Sequence, residues 1–308
     1  MASTKTRNPK TPQAPQRRQA RRPVGRTWLP LAIGTAIVLA VLAALALTRG
    51  NSSGDGKTAG LPHTSDYHSL LVAPTNPRQL ILGTHQGLFR STDAGHNWAS
   101  YRMGGRDAMN LVRPASGRTV WLAGHNIFAR SDDSGGTWTT LTPATLPSLD
   151  LHGFTVDPST PSTLYAAVAG AGLYRSTNGG SSFSEISKEV GGMVMALAVT
   201  PGGDIFAGDM QRGLLVSHDK GATWRQSLKA QLAGLAINPE NPQIILATGP
   251  GILRSTDAGK HWSVVARISA GAGPVAWSPS NPRLAYVVGF DRMLYRSGDS
   301  GATWTQVR

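Results

Sequence analysis

The absence of cysteine from this 308-residue chain excludes a disulfide framework and any thiolate metal site. The formal charge of +13 first suggests nucleic acid, but nine Lys or Arg and no acid fall within residues 1–49. The remaining residues hold 21 basic and 17 acidic groups, so outside the tail there is no electrostatic footprint for DNA or RNA.

In chain order, residues 1–27 lack hydrophobic periodicity and are rich in Lys, Arg, Pro and Gln, the composition of a disordered tail. Residues 28–48 follow, with no charge from Trp28 to Leu47, which is long enough for one transmembrane helix. Eight basic residues precede this segment. The positive-inside rule therefore places the N-terminus in the cytoplasm and the rest outside, at a bacterial cell surface or in the periplasm. A cleaved signal peptide is the alternative, since Ala44-Leu45-Ala46 has the small residues of a cleavage site. The length of the apolar run favours an uncleaved single-pass anchor. Residues 49–62 contain Asn51-Ser52-Ser53-Gly54-Asp55-Gly56 and read as a flexible linker, with the folded domain expected over 63–308.

The folded region repeats one box six times: serine, any residue, acid, any residue, glycine, two residues, aromatic. The first copy runs from Ser91 to Trp98 and the last from Ser297 to Trp304. The acid positions are Asp93, Asp133, Asn178, Asp219, Asp257 and Asp299, spaced 40, 45, 41, 38 and 42 residues apart. A proline lies 18 to 20 residues before each: Pro74, Pro114, Pro158, Pro201, Pro239 and Pro279. Apolar segments precede each proline, follow it, and run into the box, and the box aromatic opens a fourth. A period near forty with four short strands per repeat predicts an all-β, six-bladed propeller of four-stranded blades. No strand is left over, so closure of the ring should rest on packing between blades 1 and 6. The box residues have structural roles: the acid accepts backbone N–H bonds in its turn, the glycine supplies positive φ, and the aromatic buries its ring between sheets.

These boxes resemble the Asp-box, or BNR, repeats of sialidase-type propellers. Similar boxes occur in sortilin-like receptors and in the photosystem II assembly-factor family. The resemblance implies that the boxes face away from the usual binding surface, and it specifies fold better than function. A sialidase would need an arginine triad, a Tyr–Glu nucleophile and an acid/base Asp. This chain has only Glu185, Glu189 and Glu240, and lacks the Phe/Tyr-Arg-Ile-Pro motif. Asp66, Asp107, Asp150, Asp209 and Asp291 remain as carboxylates for a glycosidase pair on the opposite face.

Measured from the prolines, four histidines fall into matched registers. His68 and His152 lie six residues before Pro74 and Pro158; His85 and His125 lie eleven after Pro74 and Pro114. All four belong to blades 1 to 3 on the face opposite the boxes, where imidazoles with Asp66 and Asp150 suit Zn²⁺ or Cu²⁺. Strand-end capping is the alternative role. The segments Thr84 to Phe89 and Asp150 to Phe154 resemble a bacterial Asp-box family labelled glycosyl hydrolase. Its usual first-strand His-x-His-Gly-Leu is here Asp66-Tyr67-His68-Ser69-Leu70, with one histidine lost. At the matching position blades 4 to 6 carry Met195, Ala233 and Gly273, so that half of the channel should be apolar and small.

The sequence therefore points to a membrane-anchored, extracytoplasmic, non-catalytic module that binds or assembles a protein or surface polymer. Its candidate contact residues are Tyr101, Arg106, Asp107, Arg212, Arg267, Asp291 and Arg292. A carbohydrate-active hydrolase is the alternative, and a metal-binding accessory protein built on the four histidines is a second.

Overall fold

The computed structural model describes residues 57–308; the expected tail 1–27, membrane helix 28–48 and most of the linker 49–62 lie outside the described residues. Among the described residues, no helix is long and apolar enough to cross a membrane. Six antiparallel sheets follow one another along the chain, at 69–102, 110–140, 151–187, 194–228, 234–267 and 272–306. In each, four strands run from the innermost to the outermost in chain order.

Burial explains why the inner strands are apolar on both faces. In blade 3 the second strand, Leu164–Val168, is buried at every position, because each blade is covered by a neighbour on either side. The outermost strand, Ser184–Ser187, is polar and exposed or half-buried. The cores are therefore interblade layers. Trp121, Phe128, Phe154 and Phe183 pack between blades 2 and 3, with the Phe128 and Phe154 rings 5.5 Å apart and T-shaped.

Blades 1 and 6 share one such layer, in which Leu80, Leu82 and Trp98 meet Leu284, Tyr286 and Leu294. The Tyr286 hydroxyl also donates to the Pro77 carbonyl at 3.3 Å. Among the described residues no strand is exchanged between these blades, and side chains close the ring.

The N-terminal boundary differs from the sequence expectation. Thr58–Ala59, assigned to the linker, form a short strand paired with the outer strand of blade 1, through Thr58↔Trp98 and Ala59↔Asn97. Leu61 is buried in the same layer as Trp98, and the Tyr67 hydroxyl donates to the Pro62 carbonyl at 2.8 Å. The folded unit thus starts before His63, and blade 1 has five strands where four were expected. This extra cover buries the Trp98 ring completely. Phe183 is also buried, but the aromatics at 138, 224, 262 and 304 are only half-buried, because a bare outer strand leaves one ring edge in solvent.

Each box is a closed set of hydrogen bonds. In the second, Ser131 Oγ donates to Asp133 Oδ1 at 2.8 Å and accepts from Gly135 N at 2.8 Å. Asp133 Oδ1 also accepts from Thr137 N at 2.8 Å, and Oδ2 from the Thr137 hydroxyl at 2.8 Å. Trp138 Nε1 donates to Gly135 O at 3.0 Å. Gly135 has φ +92°, a conformation that side chains other than glycine rarely adopt. Asn178 holds its turn in the same way, accepting from Ser182 N at 3.0 Å.

Candidate functional site

The face opposite the boxes carries the starts of the first strands and the turns after the second. On it the four histidines form one arc, interleaved with three aspartates. His68 Nε2 lies 3.1 Å from His85 Nδ1, and His125 Nε2 lies 3.1 Å from His152 Nε2. The His85 and His125 rings face each other at 6.2 Å between centroids. Asp66 sits beside His68 and His85, Asp107 between His85 and His125, and Asp150 between His125 and His152.

The local backbone explains each placement. His85 follows the end of Leu80–Thr84, in a tight turn where Thr84 Oγ1 accepts from Gln86 N and donates to Gly87 O. His85 N donates to Asp66 Oδ1 at 3.2 Å. His125 pairs with Asp150 in an isolated antiparallel bridge that ties blade 2 to blade 3. His152 is the extra residue of a β-bulge, since Leu151 faces Val168 and Gly153 faces Ala167. Bulges commonly re-aim a side chain in this way. Asn110 of blade 2 takes up the displaced backbone. Its Nδ2 donates to the Leu151 and His152 carbonyls, at 3.3 and 3.1 Å, and its Oδ1 accepts from Phe154 N at 3.1 Å.

Asp107 is the central acid of the arc, and the sequence placed it only among the carboxylates of the face and the contact residues. Counted from Pro114, the position matching Asp66 and Asp150 is Arg106, so Asp107 is one residue out of register. The offset is in the strand pairing: Val112 faces Trp121, seven residues after Pro114, whereas Val72 and Val156 face Leu80 and Leu164, six after their prolines. Gly124 lets the Asp107 backbone approach: a Cβ there would lie 2.1 Å from Asp107 O.

Electrostatics couple the members. Burial pushes Asp66 up, but hydrogen bonds from His68 and His85 outweigh it and hold the carboxyl well below the usual range. Asp107 is likewise pushed up by burial and brought down to about 2 by His125 and His85. Asp107, then Asp66, raises His85 to about 10, and Asp107 raises His125. His152 is lowered, chiefly by burial.

Three overlapping sets of donor atoms could hold a metal: Asp66, His68 and His85; His85, Asp107 and His125; and His125, Asp150 and His152. Within each set the ligand atoms lie within 4.8 Å of one another.

Beside the arc, a cavity of about 540 Å³ opens at the channel mouth, lined by Asp66 and His68 on one side and by Met195, Met210, Leu232 and Phe290 on the other. The half formed by blades 4 to 6 is apolar, as expected, but it is not small. Met193, Phe290 and Met293 are exposed. Asp209 and Asp291 stand apart from the arc: Asp209 accepts from the Gln211 and Arg212 amides and pairs with Arg212, and Asp291 accepts from Tyr295 at 2.6 Å. Two of the expected contact residues are not free. Tyr101 packs against the layer between blades 1 and 2 with the Arg90 guanidinium over its ring, and Asp107 is buried in the arc.

The fold and its boxes define a six-bladed Asp-box propeller. The sequence profile of the photosynthesis system II assembly factor YCF48 family matches residues 64–308, and the chain belongs to that family. No curated protein matches it. Among solved structures, YCF48 bound to D1 peptide is 17% identical, with TM-score 0.52 and coverage of 83% of this chain and 85% of that one. YCF48 from Cyanidioschyzon merolae is 18% identical, with TM-score 0.51 and coverage of 81% and 85%. The GH74 enzyme of Niastella koreensis is 18% identical, with TM-score 0.53 and coverage of 78% of this chain. This chain spans only 46% of that enzyme's length. At such identities these likenesses show the fold alone.

Proposed function

We propose that the propeller is a non-catalytic assembly module that holds a protein segment at the channel mouth opposite the Asp boxes. The observation that carries the reading is membership of an assembly-factor family. A YCF48 propeller bound to D1 peptide supports a protein partner over a surface polymer. The mouth suits an extended segment: methionines and Phe290 offer adaptable apolar contact, and the arc offers polar groups. The apolar run at 28–48, with eight basic residues before it, supports a membrane anchor with the propeller on the extracytoplasmic side.

The hydrolase reading is disfavoured by the same face. A glycosidase needs two carboxylates free to act on opposite sides of a bond. Asp66, Asp107 and Asp150 are crowded by histidines, Asp209 pairs with Arg212, and Asp291 accepts from Tyr295. The test is crosslinking and purification of the full-length chain from its own membranes, beside assays on chromogenic glycosides. A discrete protein adduct lost in Phe290→Asp, without turnover, is expected. Robust turnover abolished by Asp209→Asn or Asp291→Asn would overturn the reading.

A further inference from the structure

Asp107 is the least satisfied polar side chain on this face. It is 10% exposed, and neither carboxylate oxygen has a hydrogen-bond partner. Yet Oδ2 lies 3.1 Å from His85 Nε2 and 2.5 Å from His125 Nδ1. The atoms are close, but they are not in line for hydrogen bonds. The 3.1 Å pair is close to the spacing of two ligands on one ion, and the 2.5 Å pair would open to reach it. Zinc-class ions bind His and carboxylate ligands at about 2.0–2.2 Å, which sets neighbouring donors roughly 3.3 Å apart in a tetrahedron. A buried carboxylate without a hydrogen bond is costly, and an ion bound in place of the neighbouring imidazole protons would satisfy it.

We infer that His85 Nε2, the Asp107 carboxylate and His125 Nδ1 form a binding site for one divalent transition-metal ion of the zinc class. Two imidazoles and a carboxylate are a donor set that such ions accept. The arms of the arc supply the outer contacts such sites use. A metal-bound histidine commonly turns its other ring nitrogen to a carboxylate, which fixes the ring. Here His85 Nδ1 contacts Asp66 Oδ2, and His125 Nε2 lies 3.3 Å from Asp150 Oδ1. The sequence Asp66–His85–ion–His125–Asp150 is symmetric about Asp107. His68 Nε2, 3.3 Å from His85 Nε2 and 3.7 Å from Asp107 Oδ1, is positioned as a further donor. The outer sets share this feature less fully: Asp66 already accepts hydrogen bonds, and Asp150, though its Oδ1 lacks a partner, is 42% exposed, whereas both oxygens of Asp107 lack one. The inference is independent of the partner assigned to the mouth.

The test uses the full-length chain purified without a histidine tag and stripped with chelator. It is titrated with Zn²⁺, Cu²⁺ and Co²⁺, with metal content measured by mass spectrometry. One equivalent is expected, together with a Co²⁺ visible spectrum showing nitrogen and oxygen ligation. Asp107→Asn and His125→Ala should each weaken Zn²⁺ binding by more than 100-fold. Asp66→Asn should weaken it about 10- to 100-fold, and His152→Ala should leave the stoichiometry at one. Urea unfolding of each variant identifies any that fails to fold, and the wild-type stoichiometry and spectrum stand without them. No saturable binding, two equivalents, or binding untouched by Asp107→Asn in a folded variant would overturn the site.

Discussion

The two faces of this propeller use the same residue for opposite purposes. On the box face, Asp133 accepts from Ser131, the Thr137 amide and the Thr137 hydroxyl, and its work is complete within its own turn. On the other face, Asp107 is nearly buried among histidines from two blades, with both oxygens lacking hydrogen-bond partners. A satisfied acid locks a fold, whereas one without hydrogen bonds keeps its oxygens free for a ligand such as the inferred ion. Repetition marks the first kind: the boxes recur in every blade, while the arc occupies only blades 1 to 3.

Four measurements test this contrast. The largest effect is expected on the box side. Trp98→Ala empties a fully buried site shared with blade 6 and should cost about 3–5 kcal/mol in urea unfolding. A loss under about 1 kcal/mol would mean that ring closure does not depend on this layer.

Asn110→Ala should cost about 1–3 kcal/mol, because it strips partners from the Leu151 and His152 carbonyls and from Phe154 N. It should also weaken Zn²⁺ binding, whereas Asn110→Asp should restore only the bond from Phe154 N.

Thermal scans with and without Zn²⁺ separate the faces. Asp133→Ala should lower Tm in both conditions while keeping the metal-induced rise, and Asp107→Asn should abolish that rise. A rise lost in both variants would contradict the separation.

The smallest effects are in pH dependence. The Thr137 amide holds Asp133, and the Thr223 hydroxyl holds Asp219, down at about 2. Folded values below the ordinary 3.8 mean that this stabilisation is present above pH 3.8 and is lost as pH falls through about 2. His85 runs the other way: raised from 6.5 to about 10, it stabilises the metal-free fold below pH 6.5 and loses that effect as pH rises through about 10. Urea midpoints across pH should decline at both ends, and His85→Ala should remove part of the alkaline decline. An unchanged alkaline limb would show that His85 is not coupled to Asp107 in this way.

What the sequence made legible was whatever is local or repeated. The boxes could be read because serine, acid, glycine and aromatic act within eight residues, and the prolines gave a ruler that brought His68, His85, His125 and His152 onto one face. The ruler failed at Asp107, because the first two strands of blade 2 pair one residue out of step with those of blades 1 and 3. It could not show Asn110, whose task is to satisfy a backbone bulge one blade away. Nor did it show Thr58–Ala59, two residues in a polar stretch whose strand forms only because blade 1 offers an open edge.

In the proposed function, the face carrying the arc binds the partner and the box face holds the ring together. Photocrosslinking in native membranes tests it directly, with the reactive residue placed at Phe290 or Met195 on one face and at Thr137 or Thr223 on the other. Discrete protein adducts are expected from the first pair and none above background from the second. Adducts from the box positions alone, or equally from both faces, would contradict that division.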